Sequence, residues 1–272
     1  AATENELAVL TSSPIRSASA PMMVIIIDDL GYNLERGQLA VELPGALTYG
    51  ILPHTPLAKK LAFYAANIDR DKEVIIHMPM AAKGHQHLGP GGLESHFGKT
   101  VFINTLREAV DEVPEARGLS NHMGSQLTAM PDRMGWLMNE LDKSDLYFID
   151  SKTTGNSAAT LAAAHHGIPY LSRDVFLDHD PSPQAINKSF EKARGVANKT
   201  GLAVVVAHPY PTTLAFLSQN LPKLASYGIQ LVTFYAKNCS IAQSWCYRCR
   251  ARCSASQIFS PRRSNACASR RR

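Results

Sequence analysis

Val24-Ile25-Ile26-Ile27-Asp28-Asp29-Leu30-Gly31 joins four β-branched residues to two adjacent carboxylates and a glycine. The apolar run is short and unbroken, as expected of a strand buried on both faces in a parallel sheet. Two carboxylates inside that core would need partners or a metal ion. The pair is therefore expected where the strand leaves the sheet, which in parallel α/β folds is where sites form. The plainer reading is that one Asp caps the helix that follows. The rest of the chain weighs against it, because the same pattern recurs.

Working outward, Val24–Asp29 is the first strand, and Leu47–Pro53 reads as a second that ends at His54. Glu73–Ile76 is a third strand that ends on His77-Met78-Pro79-Met80, and Gly118–Ser120 leads into Asn121–Ser125, a short strand ending on a histidine, His122. Tyr147–Ile149 leads into Asp150, and Ile168–Leu171 into Arg173, Asp174 and Asp178. Leu202–Ala207 ends at His208, and Ile229–Tyr235 is the last strand. Helices are expected over Leu34–Leu43, Leu57–Ile68, Lys99–Val113, Arg133–Asp142, Ala158–His166, Pro183–Asn198 and Thr212–Tyr227. Strands alternating with helices predict a parallel sheet with right-handed crossovers. Count and length suit a closed or nearly closed (β/α) barrel of seven or eight parallel strands. A doubly wound open sheet is the alternative, but no Gly-x-Gly-x-x-Gly follows the first strand, so dinucleotide binding has no support. Residues 81–98 carry His85, His87 and His96 without periodicity. A loop of that length fits a substrate lid or a tolerated surface loop equally.

The chain has 272 residues and a net charge of +5, and its end distorts the totals. All five cysteines (Cys239, Cys246, Cys249, Cys253, Cys267) follow Asn238, with eight arginines and no acidic residue. Without those arginines the rest stands near −3, so the basic balance gives no argument for nucleic-acid binding. Three segments are expected: a flexible lead-in (1–21), one barrel domain (22–238), and a disordered basic tail (239–272). Cys246-x-x-Cys249 has no histidine or acidic residue around it to support a zinc site. Truncation after Asn238 is expected to leave folding and activity intact. No apolar run is long enough to span a membrane. A body without cysteine is compatible with an oxidising compartment, and a removed signal peptide would fit an Ala at position 1.

Asp28, Asp29, His54, His77, His122, Asp150, Arg173, Asp174, Asp178 and His208 all stand at or just past strand ends. A single histidine there is usually structural. In a barrel, however, these ends converge on one face, where imidazoles and carboxylates together suit Zn²⁺ or a similar divalent ion. Such an ion lowers the pKa of water and polarises a carbonyl.

Ile27-Asp28-Asp29-Leu30-Gly31 is similar to the Thr-Phe-Asp-Asp-Gly opening of the polysaccharide deacetylases. Asn121-His122-Met123-Gly124-Ser125 and Val204-Val205-Val206-Ala207-His208 resemble their second and late motifs. His77-Met78-Pro79-Met80, Phe148-Ile149-Asp150-Ser151 and Arg173–Asp178 resemble the divergent branch found in bacterial envelopes. The resemblance covers about residues 22–237. It implies that Asp28 is the base, Asp29 and His122 are metal ligands, and His208 is the acid to the leaving group. The family's second metal histidine falls on Gln126 and its Arg-x-Pro-Tyr motif is missing, so His77, ending a neighbouring strand, is the candidate third ligand. Arg173 then orients Asp28 or steadies the oxyanion, Asp150 or Asp174 orients a histidine, and Asp178 is a supporting or substrate residue. The implied function is a zinc-dependent hydrolase of acetylated envelope carbohydrate in the periplasm. A non-catalytic carbohydrate-binding barrel for envelope assembly, and a glycosidase pairing Asp28 or Asp29 with Asp150 or Asp178, are the other readings.

Overall fold

The computed structural model describes residues 20–84 and 86–235. Residues 1–19 of the expected lead-in, the whole tail after Asn238, and His85 lie outside the described residues. The strands are β1 (Met22–Leu30), β2 (Thr48–Ile51), β3 (Glu73–Met80), β4 (Gly118–Met123), β5 (Tyr147–Asp150), β6 (Tyr170–Ser172), β7 (Val175–Phe176), β8 (Leu202–Ala207) and β9 (Gln230–Leu231). The α-helices are α1 (Leu34–Val41), α2 (Ala58–Ile68), α3 (Lys99–Glu112), α4 (Pro131–Ser144), α5 (Ala159–His166), α6 (Pro183–Thr200) and α7 (Pro211–Asn220). Every strand pairing is parallel, in the order β6-β5-β4-β3-β2-β1-β8-β7, with β9 beside the start of β1.

That order forces the sheet to curl. Laid flat, eight strands would put β6 and β7 roughly 34 Å apart, at about 4.8 Å per strand. Only Arg173 and Asp174 join them, and from Ser172 to Val175 an extended chain spans about 10 Å. Arg173 donates its N–H to the Asp150 carbonyl of β5 (2.9 Å), and Asp174 donates its own to Val204 of β8 (2.9 Å). Consecutive residues thus bridge the two edges, and the expected (β/α) barrel closes there without a β6–β7 ladder.

Strand alternation sorts the side chains into two layers. Met23, Ile25 and Ile27 of β1 face the helices, in the large cluster with Leu61, Phe102, Leu137 and Phe190. Val24 and Ile26 face inward, with Ile75, Ile149, Val204 and Val206, and Tyr147 stacks on Phe234 beneath them (ring centroids 4.0 Å apart). At the base, buried Glu73 accepts from Thr48 Oγ1 (3.0 Å) and from the N–H groups of Phe234 and Tyr235 (both 3.1 Å). The interior is therefore polar at the base and apolar in the middle. The same inward columns continue upward as Asp28, His77, Ser120 with His122, and His208.

Several boundaries differ from expectation, among them β4, which runs from Gly118 to Met123 instead of over Asn121–Ser125. β3 runs on to Met80, so His77 is a mid-strand residue. The helix expected over Thr212–Tyr227 ends at Asn220, and Leu221–Tyr227 is a 3₁₀ turn, because Pro222 lacks the N–H that an α ladder needs. The last strand shortens to Gln230–Leu231, and the two-residue β7 was not expected.

Candidate metal centre

Two neighbours in a strand should face opposite ways, yet Asp28 and Asp29 both reach the barrel mouth. Pairing with β2 shifts register between Ile27 and Leu30, and Asp29 takes a left-handed backbone (φ 62°). That bulge turns Asp29 to the side that Asp28 already faces. A non-glycine residue at positive φ is uncommon, and His54, Met123 and Lys152 at the ends of β2, β4 and β5 share the feature.

Asp29 Oδ1, His77 Nε2 and His122 Nδ1 form a tight triangle. Its edges are 3.3 Å (Asp29–His77), 2.9 Å (Asp29–His122) and 3.2 Å (His77–His122). Tetrahedral ligands at zinc bond lengths stand about 3.3–3.4 Å apart, so the three donors fit a cation of that size. Asp29 Oδ1 is buried and lacks a well-aligned hydrogen bond, although two imidazoles adjoin it. A buried, orphaned oxygen between two ring nitrogens fits the donor set of a cation. Burial works to raise the Asp29 pKa, but His122 and His77 outweigh it and hold the carboxyl far below its ordinary value.

The back of His77 is also built. Its Nδ1 lies 2.7 Å from Ser120 Oγ, its register partner on β4, and 3.3 Å from Asp28 Oδ1. Burial raises the Asp28 pKa, against the opposing pull of His77.

His208 borders the triangle without belonging to it, with Nε2 3.8 Å from Asp29 Oδ2. Asp178 fixes it, accepting from His208 Nδ1 (2.9 Å), from the His208 N–H (2.7 Å) and from Thr213 Oγ1 of α7 (2.9 Å). Phe176 stacks on the ring. Burial lowers the His208 pKa, but Asp178 and then Asp29 and Asp28 raise it more, and the net shift is upward.

The remaining expected residues serve elsewhere. Arg173 donates Nε to the Ser151 carbonyl (2.6 Å) and a terminal nitrogen to the Lys152 carbonyl (2.9 Å). Asp150 accepts from the Lys152 N–H (2.8 Å), and Asp174 from the Val204 N–H (2.8 Å). Gln126 leads into the short turn Leu127–Ala129 and donates its N–H to Ala81. Ser120 and Thr213 were not singled out from the sequence. The inward column of β4 was the signal for Ser120.

Leu93 ties the loop after β3 back to that strand: Ala81 donates to Leu93 (2.9 Å) and Leu93 to Pro79 (2.8 Å). The stretch from His87 to Pro90 walls a cleft of about 200 Å³ that also touches Tyr32, Leu52 and His122. Of the triangle, His122 reaches this cleft.

The profile of the divergent polysaccharide deacetylase family matches residues 25–236, and the chain belongs to that family. The uncharacterized protein YibQ of Escherichia coli (strain K12) is 34% identical over 221 residues, 79% of this chain and 69% of the relative. An uncharacterized protein of Haemophilus influenzae is 34% identical over 210 residues, 77% of this chain and 74% of that one. The crystal structure of the uncharacterized protein ATU2773 from Agrobacterium tumefaciens C58 shares the fold, with a TM-score of 0.76 at 22% identity. That match covers 81% of this chain and 90% of that one.

Proposed function

We propose that the protein is a metal-dependent hydrolase that removes acetyl groups from an envelope polysaccharide or related carbohydrate. The observation that carries this is the Asp29–His77–His122 triangle with a clamped histidine at its edge. Zinc is the proposed ion, because two imidazoles, one carboxylate and an open side are its usual catalytic set. When bound there, such an ion supplies Lewis acidity to the acetyl carbonyl and to water.

The side chains supply the rest. Asp29, His77 and His122 would hold the ion, with His122 facing the cleft. In hydrolysis the water oxygen bonds to the acetyl carbon, the bond from that carbon to the sugar nitrogen or oxygen breaks, and acetate leaves. His208 Nε2 accepts the proton that water gives up and returns one to the departing sugar atom. Asp178 keeps Nδ1 occupied, so only Nε2 faces the reaction.

The family's envelope association and the cysteine-free stretch from residue 20 to 235 support a periplasmic site of action, which cell fractionation tests. Gln126, standing where the wider family has a histidine, motivates the second reading of a barrel that binds carbohydrate without chemistry. His77 completing the triangle favours the first.

Elemental mass spectrometry on protein purified without chelator or affinity metal decides between them. About one equivalent of metal is expected in the wild type, and its loss in His77→Ala and His122→Ala. Acetate release from acetylated glycans should fall in step. No metal even after zinc is added back, or full acetate release by metal-stripped protein, would sink the proposal.

A further inference from the structure

Five tyrosine or phenylalanine side chains are largely exposed among the described residues: Tyr32, Phe63, Tyr170, Tyr210 and Tyr227. Three of them stand away from the metal centre. Phe63 lies on α2, Tyr170 opens β6 at the base of the barrel, and Tyr227 closes the 3₁₀ turn before β9 with the Arg194 guanidinium over its ring (3.5 Å). Tyr32 and Tyr210 follow the C-terminal ends of β1 and β8, the strands that lead to Asp29 and His208. A single exposed ring needs no explanation. Two rings flanking one site, 58% and 40% exposed, call for one.

Both sit on held backbone. The Gly31 carbonyl accepts from the Leu57 N–H (2.9 Å), and Asn33 Oδ1 caps α1 through the Arg36 N–H (2.9 Å), so both neighbours of Tyr32 are tied. Tyr210 stands between Pro209 and Pro211 in extended backbone (φ −74°, ψ 142°), and its carbonyl accepts from the Leu214 N–H (2.9 Å). With the backbone held, a tyrosine has two side-chain torsions to order, so it offers contact area at low entropic cost.

The two rings also stand on different sides of the site. Tyr32 lines the cleft with Leu52, Pro79 and His122, which come from the ends of β2, β3 and β4. Tyr210 lies beside His208, with ring centroids 5.5 Å apart and planes tilted by 30°. In the sheet, β2, β3 and β4 lie to one side of β1 and β8 to the other. The strand that carries Asp29 thus separates the cleft from Tyr210. A sugar ring has C–H groups on its faces and hydroxyls round its edge, and a tyrosine matches both with an apolar face and a polar tip.

We propose that Tyr32 and Tyr210 are substrate-binding platforms for the sugars on either side of the acetylated one, so that the protein takes an internal residue of a glycan chain. The proposal rests on the hydrolase reading above. One ring would suit a chain end; a ring on each side suits a chain that passes across the barrel mouth.

Calorimetric titration with a chain of five N-acetylglucosamine residues, beside the single sugar, reads binding. Mass-spectrometric mapping of the deacetylated chain reads position. The wild type should bind the pentamer about 10-fold more tightly than the single sugar, or better, and acetate should come from internal residues. Tyr32→Ala and Tyr210→Ala should each weaken pentamer binding about 10-fold and single-sugar binding much less. Tyr32→Phe and Tyr210→Phe, which keep the ring face, should retain most of the affinity. The leucine variants, which fill space without a flat face, should behave as the alanine ones and decide the matter if an alanine variant does not fold. Equal wild-type affinity for pentamer and single sugar overturns the proposal, as does deacetylation confined to chain ends. So does wild-type pentamer affinity in either alanine variant. A Tyr210→Ala protein that weakens on both probes alike would show a ring that merely packs on His208, and would overturn it too. Acetate released from neither probe would end the hydrolase reading, while pentamer binding would still judge the two tyrosines.

Discussion

One nitrogen of His208 is committed and the other is free, and that asymmetry is the work of Asp178. Burial alone would make the imidazolium harder to form, yet the shift runs upward because the Asp178 carboxylate at 2.9 Å, joined by Asp29 and Asp28, outweighs it. In metal-free protein, NMR should therefore show His208 titrating above the ordinary histidine value of about 6.5. In Asp178→Asn burial acts with less opposition, and the midpoint should drop. An unmoved midpoint would mean that Asp178 does not hold the ring. The pair's stabilisation is full below pH 6.5 or so and fades as pH rises through the raised folded value. The sequence named both residues but not their pairing. Asp150, Asp174 and Asp178 look alike as carboxylates after strands, and only the path of the chain sends the first two to backbone N–H groups and the third to His208. The doublet Asp28-Asp29 was legible as a site. Its division of labour was not, because alternation puts neighbours on opposite faces and the bulge that undoes this leaves no mark in composition.

β3 joins the two polar ends of the barrel. Glu73 starts it at the base, His77 sits in the site, and Met80 meets the loop that walls the cleft. Period-2 placement puts Glu73, Ile75 and His77 in one inward column, so a shift of one residue would turn all three outward. The two ends should respond differently to truncation. Glu73→Ala strips the acceptor from a hydroxyl and two backbone N–H groups at a buried position. It should lower unfolding free energy by about 2–4 kcal/mol in a denaturant titration and leave zinc affinity near the wild-type value. His77→Ala should do the reverse, losing the metal with a smaller loss of stability. Equal stability loss in both variants would contradict this separation. The strand itself was readable from Glu73-Val74-Ile75-Ile76. Its continuation through His77 and Pro79 was not, since a histidine and a proline read as a strand's end unless the neighbouring ladder from β4 is known.

At the scale of the molecule, alternation of strand and helix made the barrel legible, whereas its closure depends on two residues that carry no fold signal. Arg173 and Asp174 span the gap between the sheet's edges. Arg173 also ties its guanidinium to the Ser151 and Lys152 carbonyls past β5 and lies over the Phe176 ring of β7, at 5.1 Å. Burial depresses its pKa, and it stays charged at any working pH. A fixed, planar cation with two carbonyl acceptors on one edge and a ring on the other is a clasp across the seam. Arg173→Ala should then act on the fold before the chemistry. Losing two charge-assisted hydrogen bonds at a half-buried position costs about 2 kcal/mol. For a domain of this size that lowers Tm by roughly 4–8 °C. Zinc affinity should stay within a few-fold of the wild type, because no part of Arg173 contacts Asp29, His77 or His122. Arg173→Lys should recover little, since an ammonium cannot serve both carbonyls from one plane. Calorimetry with a parallel zinc titration separates the two roles. A variant with unchanged Tm and lost acetate release would return Arg173 to the oxyanion-steadying role, and the barrel would need another clasp to explain how its edges are held.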